Sequence, residues 1–183
     1  MAVRVDVYTI GGMASGTMSR LGSLREALST DDRLTLEGTV WQAIDDAAPR
    51  SAGTVVVPVD DILFAVADEE PMGLVHLAWH HVRLDAGPYQ LEGELATMPG
   101  FDPGRSLTRP SGEFVLLRDV RLSLLARPEA GVSVGDHALV NRYAVERIEA
   151  DLMLGFFFPG AAVAAKPLPA GSVPTAQASG GAV

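Results

Sequence analysis

Val3-Arg4-Val5-Asp6-Val7-Tyr8-Thr9-Ile10-Gly11-Gly12 is the stretch that decides the fold class. Val3, Val5 and Val7 alternate with Arg4, Asp6 and Tyr8. That is the two-residue period of a half-buried strand, in which successive side chains point to opposite faces. A central parallel strand, covered on both faces, would instead be uniformly apolar, so the alternation argues against a nucleotide-binding α/β sheet. The chain is expected to be mainly β.

The stretch has an echo further on. Tyr8-Thr9-Ile10-Gly11-Gly12 returns as Tyr89-Gln90-Leu91-Glu92-Gly93, and Ser23-Leu24 returns as Ser106-Leu107. Arg33-Leu34-Thr35-Leu36-Glu37-Gly38 lines up with Phe114-Val115-Leu116-Leu117-Arg118-Asp119. Val57-Pro58-Val59-Asp60-Asp61-Ile62, on to Ala67-Asp68, lines up with Val140-Asn141-Arg142-Tyr143-Ala144-Val145, on to Ala150-Asp151. The order of blocks is preserved, so an internal duplication is expected. Residues 1–70 would form a first β unit, 71–158 a second, and 159–183 an Ala/Pro/Gly-rich flexible tail. Each unit reads as a small β-barrel or β-sandwich. This order of blocks resembles a small all-β bacterial domain of uncharacterised activity, over most of 3–69 and 84–151. The resemblance implies a fold class and no activity.

Turn residues cluster at Asp45 to Gly53, Asp85 to Pro88, Pro99 to Gly104 and Arg127 to Gly135. Between them, strands are expected at Leu34 to Ile44 with a bulge at Gly38, Thr54 to Val59, Ile62 to Val66, Tyr89 to Met98, Phe114 to Leu125 and Ala138 to Ala150. Met18, Leu21, Leu24, Ala27 and Leu28 recur at helical spacing, and Ser29-Thr30-Asp31 would end that one short helix.

The chain has 183 residues with 23 acidic and 14 basic side chains, a net charge of −9, and no run of Lys or Arg. Such a surface repels a phosphate backbone, so no nucleic-acid partner is expected. There is no cysteine, hence no disulfide scaffold, and 48% hydrophobic residues suffice for a core. The longest apolar run, 152–165, is broken by Gly155, Pro159 and Gly160. It falls short of the roughly 20 residues a membrane span needs. Met1 to Ile10 has no basic segment followed by an apolar one, so it is not read as a signal peptide, and a cytoplasmic location is expected.

Four groups of residues bear on chemistry. His76, His80 and His81 would supply metal ligands on a helix, where His76 and His80 share a face. On a strand those two lie about 13 Å apart, too far for one ion, and His81 faces away from His80. Gly11-Gly12-Met13-Ala14-Ser15-Gly16 follows a strand but lacks both the glycine spacing of a dinucleotide loop and the Lys of a P-loop, so it reads as a loop or tight turn. Asp31-Asp32, Asp45-Asp46, Asp60-Asp61 and Asp68-Glu69-Glu70 read as solvated turn acids. Ser15, Ser19, Ser23 and His137 have no nucleophile-elbow pattern around them. No cofactor and no catalytic residue is assigned.

The expectation is therefore a non-enzymatic binding or assembly module that associates with itself or another protein. Phe156, Phe157, Phe158, Trp79 and Leu77 are its expected contact residues. Phe156-Phe157-Phe158 would dock as a final strand or anchor in a partner. The alternative is a small metal-dependent enzyme or a ligand-sensing domain built around His76, His80 and His81.

Overall fold

The computed structural model describes residues 3–19, 22–45, 48–68, 77–97, 112–150 and 154–165. In chain order the strands are β1 (Val3–Thr9), β2 (Gly12–Met18), β3 (Arg33–Ala43), β4 (Arg50–Pro58), β5 (Phe64–Ala67), β6 (Ala78–Ala86), β7 (Tyr89–Thr97), β8 (Phe114–Leu124), β9 (Arg127–Asn141), β10 (Val145–Ala150) and β11 (Ala162–Ala165). One helix, α1 (Leu24–Thr30), separates β2 from β3. The protein is mainly β, the class its alternating residues require. Among the described residues no helix is long and apolar enough to cross a membrane.

The expected separate barrels or sandwiches are not what forms. All the described strands belong to one open eleven-stranded sheet in the order β11-β10-β6-β7-β8-β9-β5-β1-β2-β3-β4. Within it, β5-β1-β2-β3-β4 and β10-β6-β7-β8-β9 have the same order of antiparallel neighbours. The two sets meet where β5 pairs with β9, Phe64 opposite Val140 and Ala65 opposite Leu139. A bond from the Asn141 N–H to the Leu63 carbonyl at 2.9 Å extends this junction.

The likeness of the two sets extends to irregularities. The β2–β3 ladder slips between Ser15 and Thr17, and the β7–β8 ladder slips between Glu92 and Glu94. Gly16 and Gly93 stand at these slips, where a Cβ on Gly16 would lie 3.1 Å from the Glu37 carbonyl oxygen and one on Gly93 2.8 Å from that of Arg118. Just beyond, Gly38 (φ 59°) and Asp119 (φ 53°) both adopt the left-handed conformation. Ile44 N–H donates to the Gly11 carbonyl as Leu125 N–H donates to that of Pro88. Val59 N–H donates to the Asp32 carbonyl as Arg142 N–H donates to that of Glu113.

Several expected boundaries move. Gly11 to Gly16, read as a loop, contributes most of β2, because its small residues fit between β1 and β3. Arg127 to Gly135, read as a turn, is the first half of β9. β4 begins at Arg50, inside the expected Asp45 to Gly53 turn. Met18 ends β2, so α1 starts later than its apolar spacing suggested. Ser23 caps it by accepting from the Glu26 N–H at 3.2 Å, and Leu24, Ala27 and Leu28 are buried beneath it. Ser106-Leu107, Pro99 to Gly104 and 166–183 lie outside the described residues.

Two apolar cores form, and four strands serve both: Tyr8 of β1 enters the core of the second set while Val5 and Val7 enter that of the first. Phe64 and Val66 of β5 enter the core of the second set, while Ala65 between them enters that of the first. Val115 and Leu117 of β8 divide from Phe114 and Leu116 in the same way, as do Ala138 and Val140 of β9 from Leu139. At the seam the Tyr8 ring stacks on Phe64 at 4.2 Å between centroids. Tyr89 meets both edge-on at 5.7 and 5.4 Å.

Burial, with Asp6 and then Tyr89 adding to it, raises the Tyr8 phenol well above its ordinary value, and burial pushes Tyr89 up to about 12. In the unfolded chain these phenols ionise near 10.0. A raised folded-state value on an acid favours the neutral native form, so the associated stability is full below pH 10 and is lost as pH climbs past it. The urea midpoint should hold level up to about pH 10 and fall between about 10 and 12. Tyr89→Phe should make that fall shallower, and an unchanged slope would contradict the assignment.

Candidate functional site

The feature that the sheet leaves open is its β4 end. β4 has nine residues, of which Arg50 to Thr54 are exposed, Val55 is half-buried and Val56 is 50% exposed. Among the described strands its only neighbour is β3. An edge strand presents unpaired N–H and C=O groups and is a template for another strand unless shortened, twisted or charged. Here Arg50 is the single charge, and the only twisting device is Gly53 (φ 66°), where the β3–β4 ladder shifts register. Thr54 to Val57 is an unbroken β-branched run.

The other end is closed by a different device. β10 is covered by β11, which runs parallel to it with Arg147 opposite Ala162 and Ile148 opposite Val163. β11 is short, and Ala162 and Val163 are exposed. Four residues of small side chains in a parallel ladder make a weakly held cover.

The expected contact residues fall into two groups. Phe157 and Phe158 are 6% and 1% exposed, inside the second core, in and just after a 3-10 turn over Leu154–Phe157 to which Phe156 also belongs. The segment docks, but as a turn rather than a strand. Its two buried rings lie inside the chain's own core. Trp79 and Leu77 remain partly exposed at the start of β6. The Arg118 guanidinium lies 4.1 Å above the Trp79 ring, and its Nε donates to Glu94 Oε2 at 2.6 Å.

His80 and His81 do not share a site. His80 Nε2 lies 2.9 Å from Thr97 Oγ1, while His81 Nε2 lies 3.3 Å from Glu92 Oε1, on the opposite face of β6. His76 lies outside the described residues. Among the described residues no three His, Asp or Glu side chains are grouped to hold a metal ion. Ser15 accepts from Arg4 Nη2 at 3.0 Å, and Ser23 caps α1. Asp6 keeps one buried carboxylate oxygen, Oδ1, without a hydrogen-bond partner. No family model, curated protein or solved structure matches the chain.

The open edge was missed in the sequence because a strand's neighbours are set by long-range order. The local signal, β-branched Thr54 to Val57 without alternating polar residues, was present. The Trp79 clamp yields a direct check. Arg118→Ala in a Trp41→Phe background should red-shift Trp79 emission while costing about 0.5–1 kcal/mol of stability, the scale of an exposed cation–π pair. Unshifted emission would contradict the clamp.

Proposed function

We propose that the chain is a non-enzymatic, self-associating β module built from two duplicated units, whose working surface is the edge of its sheet. The observation that supports this reading is β4, a long edge strand rich in β-branched residues and ending the sheet without a cover among the described strands. Backbone groups on such an edge bind a further strand through main-chain hydrogen bonds, which need no dedicated side-chain chemistry. Trp79 and Leu77, partly exposed at the start of β6, supply a second apolar contact. The net charge of −9 sets a repulsion between copies that salt screens.

Light scattering on the purified chain should give masses above 19.2 kDa that rise with protein and salt concentration. Val56→Glu, on a half-exposed side chain, should shift the rise to higher protein concentration without changing the fold. A mass fixed at the monomer value under all conditions would overturn the reading.

A further inference from the structure

The edges of the sheet correspond to surfaces that are already paired inside it. The matched ladders, bulges and hydrogen bonds place β4 where the second set has β9, and β5 where it has β10. Leu36 opposite Val55 in the first set is matched by Leu117 opposite Ala138 in the second, and Thr39 opposite Gly53 by Val120 opposite Gly135. Ala65 opposite Val7 and Ala67 opposite Val5 are matched by Ile148 opposite Leu84 and Ala150 opposite Val82. The internal β9–β5 junction therefore joins a β4-type edge to a β10-type edge. Among the described strands the sheet ends in one of each, and β11 covers the second.

We propose that β4 of one copy pairs antiparallel with β10 of the next, displacing β11, so that copies join head to tail through the same junction that joins the two halves of each chain. This rests on the self-association reading and names its partner and register. Carrying the internal register across puts Val57 opposite Arg147 of the next copy, Val56 opposite Ile148 and Val55 opposite Glu149. Val56 stands where Leu139 stands in the internal junction; Leu139 is 7% exposed and Val56 is 50% exposed. The half-exposed valine is apolar surface of the kind that the junction covers. One bond of the internal junction is lost, because Pro58 occupies the place of Asn141 and has no N–H to donate. The intermolecular joint is thus weaker than the internal one, and β11, already tethered to the chain, competes with it. Because the two joined surfaces differ, the contact is heterologous and propagates into rings or filaments rather than closing as a twofold dimer.

The chain has no cysteine, which makes the register readable by single substitutions in the full chain. Val55→Cys chains are mixed with Glu149→Cys chains and treated with a short bis-maleimide, each variant alone serving as control. A companion pair carries Val163→Pro and Ala164→Pro, which together remove a β11 ladder donor whichever residue faces β10. The expected result is a linked dimer in the mixture, absent from either variant alone, forming at about ten-fold lower protein concentration with the prolines, as loss of a short competing ladder implies. Circular dichroism checks that the proline variants keep the sheet. Linking of Val55→Cys with itself would show β4 pairing with β4 and would overturn the head-to-tail joint. A rising mass with no linking in the mixture, or a yield indifferent to the prolines, would overturn this proposal and leave self-association standing. A mass that never rises, with or without the prolines, would overturn both.

Discussion

The structure depends on the alternation of β5. A strand of four residues is flanked by β1 on one side and β9 on the other, and its successive side chains enter different cores. Phe64 and Ala65 are fully buried on opposite faces. A one-residue slip of this strand would exchange their faces, driving a phenyl ring into the space of a methyl group and leaving a ring-sized void opposite. Replacing the buried Phe64 ring by Ala costs on the order of 3–5 kcal/mol in sites of this kind. The register at β5 is therefore strongly fixed, and with it the joining of the two halves.

From this constraint follows the openness of the sheet. If β5 closed onto β4, or β10 onto β9, each half would be a separate barrel with its own closed core. Instead β9 takes β5 as its neighbour, so the strands that would have closed each half are used to join them, and the unpaired positions move to the two ends. Surface ion pairs such as Arg83 with Glu149 at 3.1 Å and Arg83 with Glu92 at 3.9 Å decorate the face of the second half. Exposed pairs of this kind contribute only about 0–1 kcal/mol each. Apolar burial on both faces of β5, β8 and β9 is the larger effect.

What the sequence made legible is what local patterning controls. Val3, Val5 and Val7 specify a strand; Gly87-Pro88 specifies a hairpin; Gly38 marks a bulge that the ladder confirms. Asp31 ends the helix where Ser29-Thr30-Asp31 was expected to end it, whereas its start lies at the Ser23 cap, beyond the expected one, because Met18 at helical spacing belongs to a strand. Glycines misled in the opposite direction. Gly12 and Gly16 look like turn residues, yet Gly12 is required within β2 because the β3 backbone at Gln42 and Ala43 passes too close for a side chain. Nothing local could reveal that β9 pairs with β5, since that pairing links residues far apart in the chain. The open β4 edge was invisible for the same reason, and Phe157-Phe158 read as a contact surface because apolar runs look alike whether they face a core or a partner.

The central claim is that the β5–β9 junction makes one cooperative body of two similar halves. Native-state amide hydrogen exchange tests it most directly, comparing the slowest amides of β2 with those of β7. Opening free energies that converge on one value, equal to that of global unfolding, are the predicted result. Slowest amides in the two strands that differ by several kcal/mol would show halves that unfold independently and would contradict the account.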